Sequence, residues 1–466
     1  MLFPHIHTSL LNYLHSNVKS EKTQYLLFGF LCAYGMCKEV MQMIIHVVAP
    51  GETVASIAAR YGADPTRLAR DNSVPPNGAL AVGQTLVLRF PRQIHTVQRG
   101  ETLTSIAARY GVTVRRLWRN NFSLGGGELL FPGQILVISY FDEPLGRITA
   151  NGYAYPHIPS DLLAQTLPYL TTLTPFTYGI TAEGTLLPLA DDLLLSAARD
   201  RGTQTVMHLS TLTEDGSFDT GRAAMVLTDT ALQDRLIEQI LQTLLSRRYS
   251  RLDVDFEFIP GDLAAPYAAF LDRLRRLVHA RGLFLWAALA PKTSATQRGL
   301  LYEGHDYAAV SDAVDGVLLM TYEWGYTAGP PMAVAPLPNV RAVLDYAVSV
   351  IPREKIFLGV PNYGYDWPLP FRQGVTRARS ISNQEAIDLA IRYNIAIQFD
   401  ESAVSPFFHY TADDGIVHEV WFEDARSMSA KLRLISEYGF AGCGFWNIMR
   451  PFSQTWLILD SLYDID

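Results

Sequence analysis

Apolar and polar positions along the chain change period in a regular order. From Leu145 to the C-terminus, segments of period two alternate with segments whose apolar residues fall three and four apart. The strand-like segments are Ile148–Tyr155, Leu173–Ile180, Thr205–Ser210, Leu252–Phe258, Leu283–Ala290, Gly316–Tyr322, Ile356–Pro361 and Gly442–Trp446. Helical stripes lie between most of them. Leu232, Leu236, Ile237, Ile240, Leu241 and Leu244 form one within Thr228–Ser246, and Tyr267, Phe270, Leu271, Leu274, Leu277 and Val278 another within Ala265–Ala280. This alternation predicts an α/β fold, a (β/α)8 TIM barrel. The gap between the seventh and eighth strands is long, and residues of about 367–420 read as a small α+β insertion on the catalytic face. It has a helical stretch near Gln384–Tyr393 and strands carrying Phe407, Phe408, Tyr410 and Trp421.

Upstream, a repeat of different period occurs twice. His46-Val47-Val48-Ala49-Pro50-Gly51-Glu52-Thr53 returns as His95-Thr96-Val97-Gln98-Arg99-Gly100-Glu101-Thr102. Ser56-Ile57-Ala58-Ala59-Arg60-Tyr61-Gly62 returns unchanged as Ser105-Ile106-Ala107-Ala108-Arg109-Tyr110-Gly111. Each unit continues through a second helical pattern around Leu68 or Leu117, an asparagine (Asn72, Asn121) and a closing strand. The order is βααβ. Thr53 and Thr102 suit helix N-caps, and Gly62 and Gly111 helix stops. Ile57, Tyr61, Ile106 and Tyr110 read as core, and His46 and His95 as strand starts rather than metal ligands. These units, residues 43–91 and 94–140, resemble LysM modules. The resemblance implies binding of N-acetylglucosamine-containing polysaccharide, peptidoglycan or chitin, around Gly51-Glu52-Thr53 and Gly100-Glu101-Thr102. Two such modules in tandem would raise avidity through effective concentration.

Composition narrows the function classes. The 466 residues suffice for two or three domains, and 48% hydrophobic with 18% charged residues describes a globular chain. A net charge of −8 argues against nucleic acid as the main partner. The three cysteines, Cys32, Cys37 and Cys443, provide neither a disulfide framework nor a metal cluster, and no cofactor is implied. Residues 1–42 read as an extension without a folded role, with translation starting naturally at Met41 or Met43. Their apolar run Tyr25–Cys37 is short for a membrane span, and no clean cleavage site follows it. No clear signal peptide is therefore expected. The module resemblance implies a cell-wall or extracellular setting, and the expected state is a monomer.

The candidate chemistry sits in the fourth barrel strand. Asp253, Asp255 and Glu257 alternate with Leu252, Val254, Phe256 and Phe258, so the three carboxyls project from one face, neighbours on the order of 7 Å apart. A central barrel strand has no solvated face, and buried like charges retain at least one proton. That keeps a glutamic acid protonated as a general acid near neutral pH. A metal-holding carboxylate cluster is the alternative, though no His or Asn stands nearby in sequence.

Asp253-Val254-Asp255-Phe256-Glu257 resembles the strand-four signature of glycoside hydrolase family 18, the chitinase-like barrels. Met320-Thr321-Tyr322-Glu323-Trp324, Gly359-Val360-Pro361-Asn362-Tyr363-Gly364 and Gly442-Cys443-Gly444-Phe445-Trp446 resemble its strands six, seven and eight. The resemblance covers residues 145–466. With the modules, the chain from Met43 onward is similar to spore-cortex-lytic N-acetylglucosaminidases. The family's substrate-assisted mechanism implies Glu257 as acid and base, Asp255 as orienter of the substrate's N-acetyl group and Asp253 as its support. It implies that Tyr322 bonds the acetamido group and that Trp446 floors the sugar site. Glu323, Met320, Tyr363, Asn362 and Tyr153 are expected around the substrate. Two departures stand out. Ser250-Arg251 replaces the family's frequent Asp-Gly, and Glu323 replaces its usual Asp. A chitinase and a non-catalytic wall-binding lectin are the alternative functions.

Overall fold

In both N-terminal modules a threonine opens the first helix through a reciprocal capping box. Thr53 Oγ1 accepts from Ser56 N and the Ser56 hydroxyl from Thr53 N; Thr102 and Ser105 repeat the pair. A glycine in the left-handed region closes each helix, Gly62 at φ 64° and Gly111 at φ 65°. The first module pairs β1 (Ile44–Val47) with β2 (Thr85–Leu88), and the second β3 (Pro91–Thr96) with β4 (Ile135–Tyr140), both antiparallel. The repeated asparagine ties each second helix to its closing strand. Asn72 Oδ1 accepts from Val87 N (2.7 Å) while Nδ2 donates to Leu68 O and Val87 O; Asn121 does the same with Val137 and Leu117.

These contacts belong to a computed structural model that describes residues 43–75, 78–213 and 218–465. The sequence reading of residues 1–42 lies outside the described residues.

Eight parallel strands then close on themselves. They are β5 (Arg147–Ala154), β6 (Thr172–Pro175), β7 (Gln204–Ser210), β8 (Arg251–Asp255), β9 (Phe284–Leu289), β10 (Gly316–Leu319), β11 (Ile356–Pro361) and, after the insertion, a last strand, Gly442–Trp446, that pairs with both β11 and β5. The predicted TIM barrel is thus present. Leu252 and Val254 point outward into the core shared with the helices, whereas Tyr153, Val206, Trp286, Leu318 and Phe357 pack the barrel interior. Among the described residues no helix is long and apolar enough to cross a membrane.

Three strands stop earlier than their apolar patterns suggest, each for a local reason. β8 ends at Asp255 rather than Phe258, because Phe256 O is taken by His305 Nε2 (2.8 Å) and Phe258 turns to φ 54°. β10 ends at Leu319 rather than Tyr322, since Thr321 N and Tyr322 N fold back onto Leu319 O and Met320 O. β6 ends at Pro175, and the Tyr178 backbone pairs with β7, at His208 O and Ser210 N. The helices agree more closely: Thr230–Arg247 and Ala264–His279 carry the two predicted stripes.

The insertion sheet begins at Gly364, three residues before the expected boundary. Its strands are β12 (Gly364–Pro368), β13 (Arg379–Ile381), β14 (Gln398–Asp400), β15 (Ser405–Thr411) and β16 (Val417–Trp421), and the helix Asn383–Arg392 packs against it. The barrel's last strand is β17 (Gly442–Trp446), and a short β18 (Asp464–Ile465) joins β5 at its start.

The modules dock on the barrel rather than hang from it. Thr85 Oγ1 donates to Gln454 Oε1 (2.8 Å), Gln454 Nε2 to Thr85 O (2.6 Å), and Ile397 N to Val82 O (2.8 Å). Arg89, Arg116 and Arg119 converge on Asp460 at 3.0–3.3 Å, and Arg89 also meets Asp142 at 2.5 Å. Asp460 is fully buried. Burial works to raise its pKa, but the three guanidinium charges prevail and hold it below the usual carboxylate range.

Candidate active site

The strand ends bring the three acids together in depth. Asp253 and Asp255 stand on β8 facing the barrel interior, and Glu257 follows on the turn beyond the strand. Phe256 anchors that turn, stacked on Tyr267 and Phe270 at 5.9 and 5.8 Å. Asp253 lies deepest. Its Oδ2 accepts from the Tyr153 hydroxyl (2.8 Å), and its Oδ1 is buried without a partner, as is Asp255 Oδ1. Burial pushes Asp253 up to about 7. Asp255 is driven well above the carboxylate range by burial and then by the charges of Glu257 and Asp253. Glu257 rises to about 7 through burial and the nearby charge of Glu323. Such acids hold protons near neutrality and can deliver one to a bound group.

Asp255, Glu257, Met320, Tyr322, Glu323 and Trp446 all line one cavity at the C-terminal mouth of the barrel. Tyr322 reaches it because β11 presents a glycine. A Cβ on Gly359 would lie 2.9 Å from the Tyr322 ring and 2.3 Å from Leu319 O. Thr321 Oγ1 ties the same turn to Gly359 O (2.8 Å). Glu323 takes a left-handed backbone, φ 67°, uncommon for a glutamate and held by its surroundings. Its carboxylate accepts from the Tyr363 hydroxyl and from that of Tyr365 (2.9 Å). Trp446 meets Phe176 edge-on at 4.7 Å, with Tyr153 and Tyr155 at 5.8 and 6.1 Å.

Three residues expected around the substrate are placed otherwise. Tyr153 sits below the cavity, bonded to Asp253. Tyr363 acts on the cavity through Glu323. Asn362 is buried and holds the neighbouring loop, donating to Arg450 O (3.1 Å) and accepting from Thr455 Oγ1 (3.2 Å). The remaining lining residues, Tyr155, Phe176, Phe218, Pro291, Leu301, Tyr302 and Trp324, were not anticipated. Tyr155 and Phe176 directly follow β5 and β6, so the barrel prediction itself carried a signal for them. Phe218, Leu301 and Tyr302 come from long connections with no such signal. Arg251 lies at the other end of β8, its guanidinium over the Trp286 and Phe284 rings (5.1 and 5.8 Å) and bonded to Gln204. The Ser250-Arg251 departure therefore affects the barrel floor, away from the acids.

In the modules, the turns Gly51-Glu52-Thr53 and Gly100-Glu101-Thr102 are open at their glycines, but the glutamates are committed inward. Glu52 Oε2 accepts from Ala49 N (2.8 Å) and His46 Nε2 (2.7 Å), and Oε1 meets Arg60 (2.5 Å). Glu101 repeats this with Gln98 N, His95 and Arg109. The backbone N–H of Gln98, then the His95 side chain, holds the Glu101 carboxyl below the usual range by bonding it.

Comparison with known proteins agrees with this geometry. The family model for glycosyl hydrolases family 18 matches residues 203–450, and that for the LysM domain matches residues 46–89 and 95–139. The cortical fragment-lytic enzyme of Bacillus subtilis is 42% identical over 431 residues, covering 91% of this chain and 99% of that protein. That of Bacillus anthracis is 38% identical over 421 residues, covering 89% and 97%. Among solved structures, the spore cortex-lytic enzyme SleL of Bacillus megaterium superposes with a TM-score of 0.77 at 34% identity, covering 91% of this chain and 98% of that one. The chain belongs to glycosyl hydrolases family 18 and is a glycosidase that carries two LysM domains ahead of its barrel.

Proposed function

We propose that this chain hydrolyses β-1,4 bonds at N-acetylglucosamine in spore-cortex peptidoglycan, with retention of configuration and with the substrate's own acetamido group as nucleophile. The observation that carries the reading is the column of acids, buried Asp253 and Asp255 with half-buried Glu257 above them, that leads into a cavity bounded by Tyr322 and Trp446. Glu257, protonated near neutrality, gives its proton to the glycosidic oxygen as that bond breaks. The acetamido oxygen closes on the anomeric carbon from the opposite face, forming an oxazolinium ion. Glu257, now a carboxylate, takes a proton from water, and the resulting attack at the anomeric carbon reopens the ring. Asp255 orients the acetamido N–H and offsets its positive charge. Asp253 shares a proton with Asp255 from below. The Tyr322 hydroxyl bonds the acetamido group, and Trp446 forms the apolar floor of the sugar site. Carboxyls stacked along one strand suit this division better than a nucleophile–acid pair flanking the sugar.

Cortex as the substrate is supported by the names of the relatives that match nearly end to end, cortical fragment-lytic and spore cortex-lytic enzymes. The spore wall is the corresponding site of action. The LysM turns would hold the polymer through their exposed glycine backbones, since the Glu52 and Glu101 side chains are occupied. The test is Glu257→Gln. Hydrolysis of soluble cortex fragments is expected to fall by roughly 10²–10⁴ while binding to insoluble cortex is retained. Turnover at the wild-type rate would contradict the mechanism.

A further inference from the structure

His208 lies against the acids without a part in the chemistry above. It stands on β7 in register with Asp253 and is 1% exposed. Its ring is flanked by Phe176 at 4.8 Å and, edge-on, by Tyr153 at 5.6 Å. Nδ1 is 2.7 Å from Thr177 Oγ1. Nε2 is 3.6 Å from Asp255 Oδ2 and 3.8 Å from Asp253 Oδ2. Burial pushes the imidazole down to about 3, so these are approaches of a neutral ring and not ion pairs.

A neutral imidazole carries one N–H. Placed on Nδ1, it would leave the Nε2 lone pair facing two carboxyl oxygens, which is repulsive whenever the pair bears a charge. Placed on Nε2, it aims a donor at both acids, and Nδ1 accepts from the Thr177 hydroxyl, for which it is the nearest acceptor at 2.7 Å, ahead of Ser210 Oγ (3.1 Å), Tyr178 O (3.2 Å) and His208 O (3.4 Å). The 3.6 Å gap is longer than a hydrogen bond, so the donor role requires the Asp255 carboxyl, which has no hydrogen bond of its own at Oδ1, to turn toward the ring. Both acids are short of donors. Asp253 has the Tyr153 hydroxyl, and Oδ1 of each acid is buried unpartnered. The other titratable groups bearing on the pair are Glu257 after β8, Tyr267 on the helix Ala264–His279, and Tyr322 after β10, while Glu323 bears on Glu257 and Tyr322. Among the described residues no lysine or arginine charge bears on either acid.

We propose that His208 is a positioning residue whose Nε2–H is the second neutral donor to the Asp253–Asp255 pair, its tautomer fixed by the Thr177 hydroxyl, and that it keeps one negative charge on the pair. This rests on the reading that the pair must be charged to stabilise the oxazolinium ion. Without the donor, two buried acids with no cation beside them both hold protons further into the neutral range. The acidic limb of the activity profile then moves to higher pH, while the alkaline limb, set by Glu257, stays in place.

The experiment is kcat/KM against pH on soluble cortex peptidoglycan fragments, with the full chain. The variants are His208→Phe, His208→Gln, Thr177→Val, Thr177→Ser and Glu257→Gln. His208→Phe keeps ring volume and is expected to raise the acidic limb by about one pH unit. Thr177→Val moves it the same way by less, and serves if His208→Phe fails to fold. His208→Gln and Thr177→Ser, which keep a donor and a hydroxyl, stay nearer wild type. An acidic limb unmoved in Thr177→Val and in folded His208→Phe overturns the proposal, as does an even loss of activity at every pH. Activity persisting in Glu257→Gln would instead defeat the catalytic assignment on which the proposal rests.

Discussion

Glu257 and Glu323 form a pair whose separate roles can be measured. Burial and the Glu323 charge together place Glu257 near 7. The acid must start protonated, so kcat is expected to fall as pH rises through that value. Glu323→Gln removes the second contribution, and the amide oxygen can still accept from Tyr363 and Tyr365. The alkaline limb of kcat should therefore move to lower pH in that variant. An unmoved limb, or one moved upward, would show that Glu323 does not act on Glu257. The deeper acid leaves its mark on stability. Asp253 sits near 7 in the fold against about 3.9 for a free aspartate. The folded state thus binds more protons, and the contribution of this group, full at low pH, is lost as pH rises from about 4 to 7. Melting temperature measured across that range should show Asp253→Asn gaining on wild type as pH rises. The acids were legible in sequence because strand period places them on one face, whereas Tyr322 and Trp446 were singled out only through the resemblance to glycoside hydrolase family 18. His208 was less so, since its meeting with Asp253 and Asp255 depends on the register of β7 against β8.

Elements were legible wherever their boundaries are set locally. The capping boxes and closing glycines of both modules are short-range chemistry, and they stand where the repeat put them. Thr102→Ala should cost about 1 kcal/mol in thermal or denaturant unfolding, and a loss indistinguishable from zero would contradict the capping role. Strand ends are set by distant partners instead. β8 stops where the His305 side chain takes Phe256 O, and nothing between Leu252 and Phe258 announces that. Glu101 shows the same limit on a smaller scale. Its turn is expected to bind glycan, yet its side-chain partners His95 and Arg109 lie on either side in sequence and meet only once the helix folds back over the strand.

The docking of the modules belongs to the whole molecule and was not legible at all. Nothing in the sequence pairs Arg89, Arg116 and Arg119 with Asp460, which lies more than 300 residues away on the helix Ser453–Leu462. Removing Asp460 would leave these guanidinium groups without their shared anion, Arg89 among them fully enclosed. Asp460→Ala should cost about 3–5 kcal/mol, and unchanged stability would mean the interface is not held there. The repeat supplies an internal comparison. Gly83 and Gly133 have matching backbones, φ 84° and 86°, but a Cβ on Gly83 would meet Ile397 O at 2.0 Å whereas Gly133 has nothing within 4 Å. Both alanine variants bear the left-handed strain, so any excess destabilisation in Gly83→Ala reports the docking alone. Equal effects would contradict the interface. Deleting residues 43–140 should accordingly lower barrel stability as well as cortex binding, because Gln454 and Asp460 lose their partners.

The central claim is cleavage at N-acetylglucosamine by the acetamido-assisted route, with Glu257 as the acid. Mass spectrometry of spore-cortex digests reads it most directly. The account predicts muropeptides ending in reducing N-acetylglucosamine from the wild-type chain and none above background from Glu257→Gln. Reducing ends at muramic acid, or equal product from the Glu257→Gln chain, would contradict it.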